Sequence, residues 1–74
     1  MGKLNETYVN KTYRVAEIRG DERFISRITS IGMTIGNEFN VIKNKASYPI
    51  LLFSRDTMLA ISQKEAEKII VEAV

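Results

Sequence analysis

The chain has 74 residues and contains neither cysteine nor histidine. A core of this size contributes about 3–5 kcal/mol of net stability, and small domains usually add disulfides or a structural metal. Without cysteine the chain forms no disulfide, and without histidine the usual ligand sets for zinc, copper and haem are missing. We therefore expect a single domain over residues 1–74 that folds through packing alone or with the help of a partner.

Short runs of β-forming residues recur along the chain, with turn signals between them. In the run EFNVIKNK, Phe39 and Val41 alternate with polar residues, which is typical of a half-buried strand. The run ILLF after Pro49 is wholly apolar, and we expect it to be the central strand. Strands are predicted over about five segments, at residues 12–19, 38–45, 50–53, 58–61 and 69–71. Such spacing favours a small closed barrel, because closure leaves no exposed sheet edge.

A helix is predicted between two end signals. Asp21 is a typical N-cap residue, and Gly32 suits the C′ position because glycine adopts positive φ without steric cost. Met33 would then lie at C″, in reach of the helix's own apolar face. That face consists of Phe24, Ile25, Ile28 and Ile31. Four large apolar residues are more than a short helix needs, since Phe24, Ile28 and Ile31 suffice to dock it. Ile25 and Met33 are then either partly exposed for a partner or packed in the core, which is the more frequent role of such residues.

Two further local signals are present. Gly36, in the run TIGN, stands where a type II turn requires positive φ. Ser62 and Glu65 have the spacing of a capping box, and Ile61 and Ala66 that of a hydrophobic staple. They predict a second, late helix of one to two turns.

A search for catalytic residues finds no plausible set. Histidine and cysteine are absent, and the carboxylates lie beside basic residues on faces expected to be exposed. Asp21 and Glu22 suit a helix start better than a metal site. Glycines 2, 20, 32 and 36 form no phosphate-binding motif. We expect no catalytic residue, no metal site and no cofactor, so the chain is not predicted to be an enzyme.

The charge pattern argues weakly against nucleic-acid binding, which is the alternative function. The net charge is +2, and the basic residues are scattered among acids rather than gathered on one face. Nucleic-acid binding would need aromatic residues among basic ones, and Tyr13-Arg14 with Lys43, Lys45 and Tyr48 is the only such set. A domain that binds nucleic acid or the ribosome is therefore the alternative. No run reaches the length of a membrane span and the first ten residues lack a signal-peptide core, so we expect a cytoplasmic protein.

Taken in order, these signals resemble the FeoA family. The resemblance covers residues 4 to 72 and rests on the sequence of structural signals rather than on one motif. They are the strand ending at Gly20, the helix with Arg27, SIGM at 30–33, Ile35-Gly36, Phe39 and Val41, Pro49-Ile50, Leu59-Ala60-Ile61, Glu65-Ala66, and Ile69 with Val71.

The resemblance implies a mainly β fold, an SH3-like barrel with an inserted α-helix and a short late helix. It also implies a cytosolic accessory protein, peripheral to the inner membrane through its partner, the FeoB transporter, which carries a GTP-binding domain. The same barrel resembles the C-terminal domain of iron-dependent repressors. Self-association is left open.

Within this resemblance the inserted helix and its exit are the expected partner-binding surface. The residues assigned to it are Arg23, Arg27, Ile28 and Met33. An apolar centre ringed by arginines fits the usual anatomy of a protein interface.

Overall fold

The computed structural model describes residues 1–74 and is mainly β. Six strands, two helices and one 3-10 turn follow one another along the chain. They are β1 (Gly2–Lys3), the 3-10 turn (Leu4–Glu6), β2 (Thr12–Ile18), α1 (Glu22–Ser30), β3 (Glu38–Lys43), β4 (Ile50–Ser54), β5 (Thr57–Ile61), α2 (Gln63–Ala66) and β6 (Ile69–Ala73).

The strands form one antiparallel sheet in the order β1-β6-β2-β3-β4-β5. Each of the five predicted strands is present, and β1 is an additional one. The expected closed barrel is not found, because β1 and β5 end the sheet and do not pair with each other. β1 has only two residues, after which the chain turns into the 3-10 segment that packs against α2 and β6. The expectation that 50–53 is the central strand was also wrong, since β4 lies second from the edge.

The core lies on the inward face of this sheet. The predicted alternation of β3 is confirmed, with Phe39 and Val41 buried and Glu38 and Asn40 exposed. Irregular register between β2 and β6 and between β3 and β4 marks β-bulges, which bend and twist a strand locally. The buried apolar cluster comprises Leu4, Tyr13, Val15, Phe24, Ile28, Met33, Phe39, Val41, Ile50, Leu52, Ile61, Ala66, Ile69 and Val71.

Both predicted ends of α1 are confirmed. The Asp21 carboxylate accepts a hydrogen bond from the Phe24 N–H at 2.9 Å. At the other end Gly32 has φ 111°, its N–H donates to the Thr29 carbonyl, and the Met33 N–H donates to the Ile28 carbonyl. This pair of bonds is the Schellman motif, which satisfies carbonyls that the helix leaves unpaired.

The remaining turns follow local sequence. The Asn37 N–H donates to the Thr34 carbonyl at 3.0 Å with Gly36 at φ 90°, as a type II turn requires. Ser62 and Glu65 form the predicted capping box at the start of α2. β4 and β5 are joined by Arg55 and Asp56, both at positive φ, which is the geometry of a type I′ hairpin turn.

Candidate partner-binding surface

Two arginines lie on the outer side of α1. Arg23 is exposed and forms no ion pair. Arg27, one turn further on, is ion-paired with Glu65 of α2, and its guanidinium lies 5.6 Å from the centre of the Phe24 ring. Lys68 approaches the same ring at 4.8 Å. Arg27 therefore connects the two helices, while Arg23 has its full charge available to a partner.

The ion pair affects the titration of Glu65. Arg27 holds the pKa of this carboxyl below its ordinary value of 4.5, the capping bonds from Ser62 lower it further, and partial burial opposes both. A carboxyl with a lowered folded-state pKa stabilises the fold above its unfolded-state pKa. This stabilisation is lost as the pH falls through the folded-state value.

We expect Glu65→Gln to lower the melting temperature at pH 7 by a few degrees. Glutamine retains the capping geometry but removes the charge, and an ion pair this close to solvent contributes about 0.2–1 kcal/mol. The difference from the parent should shrink as the pH is lowered below about 5 and disappear in strong acid. Thermal melts followed by circular dichroism over this range measure it. Glu67→Gln is the control, because Glu67 is exposed and has no ion-pair partner; an equal, pH-dependent loss there would contradict the role of Arg27.

Two of the four residues assigned to the surface lie in the core instead. Ile28 and Met33 both have 0% exposure, so the core position is the one found of the two alternatives for Met33. The Schellman motif explains this, because it folds the chain back and brings C″ onto the helix it has just left. Asn37 also donates a weak bond to the Met33 sulfur at 4.0 Å. The two side chains hold the helix exit in place rather than contacting the solvent.

The exposed apolar residues of this region are Ile31 and Ile35. Ile31 was expected to help dock the helix, but it is the C-cap residue and is 41% exposed. Ile35, in the following turn, is 68% exposed. A shallow depression of about 100 Å³ adjoins Ile31 and is lined by Gly32, Leu59 and the β4–β5 hairpin. Because Gly32 was assigned to C′, Ile31 is the C-cap residue and lies beyond the last helical turn. The sequence therefore already indicated that Ile31 is not on the docking face of the helix.

We call Arg23, Arg27, Ile31 and Ile35 the helix-exit surface. It consists of two exposed isoleucines beyond the C-terminal end of α1 and two arginines along the helix before them. Such a surface supplies apolar area together with donors that bind carboxylates or phosphates in a bidentate manner.

The aromatic and basic residues proposed for nucleic-acid binding do not form one cluster, because Tyr13 and Arg14 are separated from Lys43 and Tyr48. Tyr13 is buried, stacks against Phe39 at 6.2 Å, and its hydroxyl accepts the Tyr8 N–H. Arg14 lies between Glu38 and Glu72 at 3.3 and 3.2 Å, and these carboxylates raise its pKa, Glu72 most. Lys43 instead covers the ring of Tyr48 at the other end of β3.

The acidic residues are dispersed over the surface. No group of three or more aspartates and glutamates converges in a way that could hold a metal ion. No helix is long and apolar enough to cross a membrane.

Comparison with known proteins identifies a family match over nearly the whole chain. A sequence model described as the FeoA domain matches residues 2–73. No significant match was found among the curated proteins.

Several solved structures share the fold. A crystal structure titled iron uptake regulatory protein (FeoA) has a TM-score of 0.91 at 22% identity and covers 97% of this chain and 96% of its own. A FeoA-like protein from Clostridium acetobutylicum has a TM-score of 0.83 at 28% identity, covering 99% of this chain and 86% of its own. The manganese regulator SloR aligns at a TM-score of 0.86 and 14% identity, covering 99% of this chain but 34% of its own. The same fold thus also occurs as one part of a larger protein.

Proposed function

Because the chain belongs to the FeoA domain family, we propose that it is a small accessory protein of bacterial ferrous iron uptake that acts by binding the FeoB transporter. The family match over residues 2–73 carries this proposal. It is supported by the resemblance of the fold to proteins titled iron uptake regulatory protein and iron(II) transport protein A. The FeoA family is one of small accessory proteins and is not a known enzyme family, so we assign the chain a binding role.

The helix-exit surface is the contact that we assign to the transporter. Ile31 and Ile35 supply exposed apolar area, and Arg23 supplies an unpaired guanidinium about two helical turns before Ile31. Charged side chains around an apolar centre are common at protein interfaces. Arginine also suits a partner that binds a nucleotide, since a guanidinium recognises carboxylates and phosphates through paired hydrogen bonds.

Ile28 and Met33 have an indirect role in this proposal. Both are fully buried below the exit of α1, where they fix the direction in which the chain leaves the helix. Their replacement would disturb the surface through misfolding, so neither gives a clean test of binding. The protein acts in the cytoplasm and reaches the inner membrane through FeoB.

The test uses Arg23→Gln combined with Ile35→Gln. Both side chains are exposed and take no part in the core, so the variant should fold like the parent. We avoid a charge reversal at Arg27 because a new carboxylate would face Glu65. Titration of the cytosolic GTP-binding domain of FeoB, followed by calorimetry, should show binding at least about tenfold weaker than for the parent.

The matched control is Lys11→Gln combined with Ile42→Gln, which removes one cation and one exposed isoleucine elsewhere. It should bind like the parent. If the two double variants bind equally well, the helix exit is not the docking surface. If the parent itself does not bind FeoB but binds single-stranded RNA with an affinity that falls steeply as salt rises, the nucleic-acid alternative replaces the proposal.

A further inference from the structure

The two edges of the sheet differ in how they are protected. β1 is two residues long and carries Lys3, and short or lysine-bearing edges resist pairing with another chain. β5 is five residues long, with the sequence TMLAI, and contains no charge, no proline and no register irregularity against β4. An uncharged, regular edge strand is a ready template for a further strand.

The hairpin turn determines which backbone groups β5 directs outward. In a two-residue turn the flanking residues, Ser54 and Thr57, form the first hydrogen-bonded pair, and bonded and non-bonded pairs then alternate. The N–H and C=O groups of Met58 and Ala60 therefore point to the open edge. Neither residue forms a backbone hydrogen bond outside the strand pairing.

The outer face of this hairpin is apolar as well. Phe53 of β4 lies opposite Met58, and the two are 37% and 51% exposed. Leu51, which is half-buried, lies opposite the exposed Ala60. On this face the large Phe53–Met58 pair is followed along the strand by the smaller Leu51–Ala60 pair.

We propose that β5 pairs antiparallel with β5 of a second copy of this chain, with Leu59 on the two-fold axis. In this register Met58 faces Ala60 of the second copy, and every outward N–H and C=O group of both residues obtains a partner. On the outer face the long methionine lies beside the short alanine, so the apolar strip continues across the junction without a clash. A two-fold interface requires this kind of self-complementary surface.

Charged residues flank β5 at both ends. The antiparallel register places the Arg55-Asp56 turn next to residues 62–64 of the second copy, which include Lys64. Arg55, Asp56 and Lys64 are all exposed and form no ion pair within their own chain. Asp56 attracts the ammonium of Lys64 while Arg55 repels it, so these charges are balanced at each end of the junction. The match of the long Met58 with the short Ala60 along the strip is what favours a second copy over an unrelated peptide.

Sedimentation velocity of the full chain over a range of concentrations tests the proposal. We expect a dimer that dissociates in the micromolar to millimolar range, as is usual for small interfaces. Met58→Lys and Ala60→Glu should each weaken it at least about tenfold, because each new charge replaces an apolar contact of the strip and lies diagonally across the two-fold axis from its like-charged copy, about 7–8 Å away. Amide exchange of Met58 and Ala60 should slow as the protein concentration rises.

Mixing the variants tests the register. An equimolar mixture of Met58→Lys and Ala60→Glu chains should dimerise more tightly than either alone, since the new ammonium and carboxylate groups are direct neighbours. Ile42→Lys adds the same charge to an exposed site away from β5 and should dimerise like the parent. A parent chain that stays monomeric at millimolar concentration would overturn the proposal. An extended peptide of another protein would then be the remaining candidate to pair with β5. Dimers that tolerate Met58→Lys would also overturn it.

Discussion

Replacing Leu4 by alanine is expected to lower the free energy of unfolding by about 2–5 kcal/mol, which is the usual cost of truncating a buried leucine. The side chain is fully buried and belongs to the core cluster. It comes from the 3-10 turn, which packs against α2 and β6. Since a core of this size supplies about 3–5 kcal/mol, the variant should be largely unfolded at 37 °C. Urea denaturation followed by circular dichroism measures the change.

Val9→Ala is the appropriate control because Val9 lies in the same N-terminal region and is partly exposed. Surface substitutions of this kind usually change stability by less than about 0.5 kcal/mol. If Leu4→Ala lowered the free energy of unfolding as little as Val9→Ala does, the N-terminal segment would have to be detached from the core in solution.

The importance of Leu4 was not predicted from the sequence. It is a single apolar residue in the run GKLNET, which has neither the period of a helix nor that of a strand. Its burial depends on distant partners: β1 pairs with β6, and the Asn44 side-chain amide donates to the carbonyls of Asn5 and Thr7. Contacts between segments so far apart leave no periodic pattern in the sequence around Leu4. The 3-10 turn itself is closed by Glu6, which accepts the Lys3 N–H, a weaker signal than the usual serine or threonine cap.

Features with a local cause were predicted well. The limits of α1 follow from Asp21 and Gly32, and the inward face of β3 follows from alternation alone. Sheet closure and strand order depend on pairing between distant segments, so the barrel was expected where the sheet stays open and β4 was placed at its centre. Family resemblance indicated the helix exit as the candidate surface. The exposure of Ile31 follows from its C-cap position, which Gly32 already indicated, whereas the burial of Met33 depends on the direction of the chain after Gly32.

Gly20→Ala is expected to be more destabilising than its small volume indicates. Gly20 has φ 120°, a conformation that side chains rarely adopt, and an added Cβ would lie 2.9 Å from Cδ2 of Phe24. The strained backbone costs on the order of 1–3 kcal/mol, and crowding in a packed site adds about 1–3 kcal/mol. The Phe24 ring has little freedom to move away, since Arg27 and Lys68 both lie close to its centre.

Gly32→Ala separates the cost of backbone strain from the cost of crowding. Gly32 has a similar φ of 111°, but no atom lies within 4 Å of an added Cβ, so this variant carries only the backbone strain. Urea denaturation should rank the parent above Gly32→Ala and Gly32→Ala above Gly20→Ala. In the background of Phe24→Leu, which removes the ring, Gly20→Ala should cost only about as much as Gly32→Ala. A double-mutant cycle that shows no coupling between positions 20 and 24 would mean that the ring gives way freely, and that Gly20 is required for its backbone conformation alone.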